Sequence, residues 1–135
     1  MSVSVLVLSH EGIGAAILGA ALQMIAACPM ETTLLTIEQD GEPDDLIERA
    51  KLLLDTMDSG DGVLVLTDLY GSTPCNIAKA CISGKNAIAV AGLNLSMLIR
   101  VMNYPDLGLS ELSEKATSGG KDGIIILDDL EHHAS

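Results

Sequence analysis

The stretch Val3-Ser-Val-Leu-Val-Leu-Ser-His-Glu-Gly-Ile-Gly14 limits the fold more than any other. An apolar run stops abruptly at Ser9-His10, and two glycines follow. The run, Val3 to Leu8, is short and rich in β-branched residues, so it reads as a buried strand of a parallel sheet. A helical pattern over Ile13 to Ala27 comes next, and Pro29 enforces its end. His10 therefore falls just past the carboxyl end of the strand, where open α/β sheets keep their ligand crevice. A free imidazole, with a pKa of about 6.5, is largely neutral at physiological pH and makes a useful nucleophile there.

The same alternation recurs along the chain. Thr32 to Glu38 reads as a second strand, and Gln39-Asp-Gly-Glu-Pro43 as a loop. Pro43 opens a helix at its first position, with Asp44 and Asp45 at its positive end. Leu46, Ile47, Ala50, Leu53, Leu54 and Met57 then follow at helical spacing. Val63 to Leu66 is a third strand, ending at Thr67-Asp68. A helix over Pro74 to Ser83, a strand over Ala87 to Ala91 and a helix over Leu95 to Asn103 follow. Leu109 to Ser118 reads as a last helix broken by Gly119-Gly120, and Ile124 to Leu127 as a fifth strand.

The expected fold is α/β, a doubly wound, mainly parallel four-stranded sheet with helices on both faces and right-handed crossovers. The fifth strand pairs with its own sheet or with that of another copy. If strand order reverses beside strand one, the crevice lies between strands one and three, and His10 meets Asp68. Residues 1–127 form one domain, and 128–135 a loose acidic tail.

The 135 residues suit a single domain that buries roughly two thirds of its extended surface. Phe and Trp are absent and only two Tyr occur, so the core is aliphatic and offers few stacking platforms for single-stranded nucleic acid. The net charge of −12 repels phosphate backbones and anionic lipid, and favours a basic protein surface. No signal peptide is apparent, and no apolar run approaches the ~20 residues of a membrane span. Neither nucleic acid nor direct membrane insertion is expected. Cys28, Cys75 and Cys81 fit neither a zinc site nor a redox pair, which points to buried thiols in a reducing cytoplasm.

The second informative stretch is Leu66-Thr-Asp-Leu-Tyr-Gly-Ser-Thr-Pro-Cys-Asn76. Asp68 ends a buried strand, where an unpaired carboxylate is costly. Gly71 and Ser72 form a loop with free amides, and Thr73 is placed to cap a helix with Pro74 at its first position. A helix start presents unpaired N–H groups to anions. Asp68 accepting from Nδ1–H of His10 would leave Nε2 free. A phosphoryl group arriving there would be held by the Ser72 and Thr73 amides and the Thr73 hydroxyl, with no metal or other cofactor required.

Three pieces in register carry a family resemblance: Ser9-His10 after its strand, Leu66 to Pro74 with Asn76 and Ala78, and Val90 to Leu98. Together they resemble the mannose-family IIA component of the bacterial phosphoenolpyruvate-dependent sugar phosphotransferase system, over nearly the whole chain. The resemblance implies a phosphohistidine carrier that takes phosphate on His10 from a phosphorylated HPr-like protein and passes it to a IIB domain. It implies Asp68 as the orienting residue, Thr73 as a phosphate contact, and a homodimer that exchanges its last strand. The chain departs from the family at Glu11, where glycine is common, at Tyr70 in place of tryptophan, and at Ser72-Thr73 in place of glycine-serine.

Within a carrier role the sequence leaves sugar transport, a regulatory signal and donation to a dihydroxyacetone kinase open. The competing class is a non-covalent nucleotide- or anion-binding module. Gly12-Ile-Gly14 resembles a dinucleotide fingerprint, but Ile17 stands where its third glycine belongs, so these glycines are expected to serve turn and packing. Met24, Met57, Met97 and Met102 are expected in the core, Asn94 as a helix cap, and His132 and His133 in solvent.

Overall fold

The computed structural model describes residues 2–129. Four strands, β1 (Ser4–His10), β2 (Thr32–Ile37), β3 (Val63–Thr67) and β4 (Ala87–Ala91), alternate with α1 (Ile13–Met24), α2 (Pro43–Met57), α3 (Thr73–Cys81) and α4 (Leu95–Met102). A last helix, α5 (Leu109–Asp122), follows α4. All pairings are parallel, in the order β2-β1-β3-β4, so strand order reverses beside β1 as expected. His10 is the last residue of β1 and pairs with Ile37.

Side chains alternate across each strand, and two cores result. Val5 and Val7 of β1 and Leu64 and Leu66 of β3 pack with Ala21, Leu98, Val101, Leu112 and Ala116 from α1, α4 and α5. On the other face Leu6, Leu8, Val63 and Val65 meet Leu46, Ala50, Leu54, Ile77 and Ala78 from α2 and α3. His10 continues the Leu6, Leu8 register and so lies on the α2/α3 side.

Local chemistry sets the helix starts. Pro43 opens α2, and the Glu42 side chain accepts from the Asp44 amide at 3.2 Å. Asn94 caps α4 as expected, accepting from the Met97 amide at 2.8 Å, and its Nδ2 donates to the Gly120 carbonyl at 3.2 Å.

Several sequence expectations need correction. The first helix ends at Met24 rather than Ala27, because Ile25 already turns to extended backbone. Met24 is accordingly 65% exposed, whereas Met57, Met97 and Met102 are buried. Cys28 is exposed, unlike Cys75 and Cys81. Burial pushes the Cys81 thiol up to about 11, against a smaller opposing effect of its hydrogen bond and Lys51. Gly119 and Gly120 do not break the last helix; they are buried within it. A Cβ on Gly119 would run into the Cβ and Cγ of Arg100, so the glycine lets α5 approach α4 closely. Residues Ile124, Ile125, Ile126 and Leu127 form no strand in this single chain and are 68–88% exposed. The His132 and His133 expectation lies outside the described residues, as does most of the acidic tail.

Replacing Gly119 by Val should lower stability by about 1–3 kcal/mol despite the poor helix propensity of glycine. Urea denaturation reads this as a lower midpoint at unchanged slope.

Candidate functional site

The switch between β1 and β3 brings two strand ends together. His10 closes β1, and Asp68 follows the last residue of β3. The Thr67 carbonyl accepts the Gly92 and Leu93 amides at 2.9 and 3.0 Å, which ties the end of β3 to the end of β4. Asp68 is thereby presented toward β1.

One carboxylate oxygen of Asp68 takes two donors from the same residue. Oδ2 accepts the His10 backbone N–H at 3.1 Å and lies 2.7 Å from ring Nδ1. Oδ1 accepts the Leu69 amide at 3.1 Å. The Asp68 side chain is 6% exposed and the His10 side chain 43%. Burial acts to raise the Asp68 pKa, but the hydrogen bonds from the His10 ring and backbone and from its own loop outweigh it. The net result lies below the usual carboxylate value of 3.8. An ionised carboxylate has no proton to donate, so Nδ1 carries the ring hydrogen. Nε2 has no partner among the described residues, and in the neutral ring it is the nitrogen that carries the lone pair.

His10 lines a cleft of about 420 Å³ with Glu11, Ile37, Glu38, Gln39, Thr73 and Pro74. Glu38 and Gln39 escaped sequence reasoning. Pairing of His10 with Ile37 puts the residues after β2 beside the imidazole, and only the register reveals that.

The β3–α3 loop differs in detail from expectation. The N-cap of α3 is Ser72, not Thr73. The Ser72 hydroxyl donates to the Leu69 carbonyl at 2.6 Å and accepts weakly from the Cys75 amide at 3.5 Å. The Ser72 amide also donates to the Leu69 carbonyl, at 3.2 Å, closing a turn in which Gly71 has φ +84°. That positive φ suits glycine and strains other residues. Both Ser72 donors are thus engaged. Thr73 instead keeps its amide and hydroxyl unpaired among the described residues, at the first turn of α3 and on the cleft wall. Leu69 and Tyr70, 62% and 83% exposed, form the tip of the loop.

The arrangement pairs a partly exposed nucleophilic nitrogen with a fixed tautomer and a helix start carrying free donors. It suits covalent capture of an anionic group. Among the described residues no cluster of His, Cys, Asp and Glu is placed to hold a metal ion, and no helix is long and apolar enough to cross a membrane.

The chain matches known proteins in sequence and in fold. Residues 4–117 match the EIIA-man family, described as PTS system fructose IIA component. The PTS system mannose-specific EIIAB component of Escherichia coli is 32% identical over 84 residues, covering 60% of this chain and 26% of that protein. The chain thus spans about a quarter of the length of the curated relatives it matches. In fold it is similar to the mannose/sorbose specific IIA subunit of the phosphotransferase system from Enterococcus faecalis. The TM-score is 0.84 at 24% identity, over 97% of this chain and 98% of that one. The phosphotransferase system component EIIA from Streptococcus agalactiae aligns with TM-score 0.75 at 25% identity, over 93% and 97% of the two chains.

Because the Asp68 pKa is depressed in the folded chain, its stabilising contribution is complete above the unfolded value near 3.8 and is lost as pH falls through the folded value. Wild type should therefore lose stability on acidification below about pH 4 more steeply than Asp68→Asn. Thermal unfolding from pH 6 down to pH 2 checks this, and parallel curves would contradict it.

Proposed function

Since the chain belongs to the EIIA-man family of sugar phosphotransferase system IIA components, we propose that it carries phosphate on His10 Nε2. The 2.7 Å contact between His10 Nδ1 and Asp68 Oδ2 carries this reading, because it dictates which ring nitrogen is the nucleophile. The donor is a phosphohistidine protein of the HPr type and the acceptor a IIB domain. Both exchanges take place in the cytoplasm, and the phosphorylation state is also available as a regulatory signal.

In the accepting step the Nε2 lone pair attacks phosphorus in line with the donor's P–N bond. A new N–P bond forms while the old one breaks, and its electron pair returns to the donor's ring nitrogen. Nδ1 keeps its proton, so the ring becomes formally cationic, and the Asp68 carboxylate offsets that charge. The Thr73 amide and hydroxyl hold the phosphoryl oxygens at the start of α3. Gly71 supplies the turn that brings these donors to the cleft, and Ser72 closes that turn through Leu69. Passing phosphate to the IIB domain is the same displacement in reverse. Glu11 and Glu38 line the cleft, and their charge favours a partner that brings basic side chains with its phosphate.

Incubation with phosphoenolpyruvate and the two general phosphotransfer proteins, followed by intact mass, should show one acid-labile phosphate. His10→Ala abolishes it, and Asp68→Ala slows it by about 10²-fold or more. Stoichiometric nucleotide binding without covalent modification would instead support the non-covalent binding module.

The same reading includes a homodimer. β4 is an edge of the sheet, and the exposed Ile124 to Leu127 segment is a short apolar stretch next to the groove lined by Val90, Thr117 and Lys121. Pairing this segment on β4 of a second copy covers both the edge and the apolar side chains. Sedimentation should give a dimer for the whole chain and a monomer for the chain ended at Gly123. An unchanged dimer after truncation would exclude strand exchange.

A further inference from the structure

Ser9 precedes the proposed nucleophile but faces the opposite side of the sheet. It is wholly buried among the residues that meet α1. Its hydroxyl makes two hydrogen bonds. It accepts the Gly14 amide at 2.8 Å and donates to the His10 carbonyl at 2.9 Å. The first bond replaces a missing cap: the N-cap of α1 is Gly12, with φ +88°, which offers no capping side chain. The Gly14 amide is one of the orphan donors of that first turn, and Ser9 satisfies it from the strand. The fit is close, since a Cβ on Gly14 would lie 2.5 Å from the Ser9 oxygen.

The second bond bears on chemistry. The His10 N–H is held by Asp68 Oδ2, ring Nδ1 by the same oxygen, and the carbonyl by Ser9. Nε2 is then the single polar atom of His10 without a partner among the described residues. The Ser9 bond orients the peptide between His10 and Glu11, at the point where the chain leaves the sheet. Without it, and without the bond to the Gly14 amide, the backbone that carries the imidazole loses two restraints on its position relative to Asp68.

We infer that Ser9 is a positioning residue for the phosphoryl-accepting histidine, coupling the start of α1 to the orientation of the ring. The inference rests on the reading of His10 as the nucleophile. A serine needed only for stability would have no influence on the ring.

The test compares wild type, Ser9→Ala and Ser9→Thr by two readouts, with thermal unfolding measured alongside. Long-range nitrogen–proton NMR of the unphosphorylated chain reports the His10 tautomer. Phosphorylation kinetics with phosphoenolpyruvate and the two general phosphotransfer proteins separate kcat from the KM for the protein donor. Ser9→Ala should lengthen the Nδ1–H contact with Asp68, read as a shift of the His10 ring nitrogen signals, and lower kcat about tenfold at unchanged KM, since small misplacements of a reacting group are costly. Ser9→Thr, which keeps the hydroxyl, should restore both. A folded Ser9→Ala with the wild-type ring spectrum and rate overturns the inference, as does a Thr variant that falls as far as Ala. If Ser9→Ala does not fold, Ser9→Cys, with similar shape and weaker hydrogen bonds, is judged by the same ring spectrum. A wild-type chain that takes up no phosphate defeats the carrier reading, while the ring spectra still decide the role of Ser9.

Discussion

The contact between the Asp68 carboxylate and His10 joins residues 58 apart in sequence. It requires β1 and β3 to be neighbours and both to end at the same rim. The order β2-β1-β3-β4 meets the first requirement, and the parallel pairing meets the second. A carboxylate that is 6% exposed is costly unless its lone pairs are used. Here three donors use them, two from His10 and one from Leu69. Asp68 is therefore buried at tolerable cost because the histidine is present, and the histidine has a defined tautomer because Asp68 is ionised.

Around this pair the molecule is built for close approach. With no Phe or Trp, its core is filled by Leu, Ile, Val, Ala and Met, which pack on both faces of the sheet. Glycine is used where backbones must come near each other, as at Gly119 against Arg100 of α4 and at Gly14 against Ser9 and Val7. At the cleft, His10 Nε2 and the Thr73 amide and hydroxyl keep no partner among the described residues.

Strand positions were legible because a buried parallel strand is a short apolar run, and each run ends where polar residues begin. Helix ends were less so. Ile25 and Ala27 look helical by composition, yet the chain leaves the helix after Met24 to reach β2. The placing of the α3 cap one residue too late has a similar origin. Ser72 and Thr73 have nearly the same side-chain chemistry, and only the turn closed on the Leu69 carbonyl distinguishes them. Gly119-Gly120 resembles a breaker by local rules, and packing against α4 outweighs that preference. The apolar run Ile124 to Leu127 has the composition of a strand, but a strand exists only once it is paired, and in this single chain the segment pairs with neither sheet edge.

From the sequence by itself came the α/β alternation, the parallel sheet, and the placing of His10 and Asp68 at strand ends, since these follow from hydrophobic period and element length. The family resemblance added which chemistry to expect there. The tertiary structure alone decided that one oxygen of Asp68 grips both the backbone and the ring of His10. It also decided that Glu38 and Gln39 share the cleft, that Thr73 rather than Ser72 keeps free donors, and that the Ser9 hydroxyl reaches α1. These depend on register and on the exact path of loops, which are settled by contacts between residues far apart in the chain and leave no periodic trace within it.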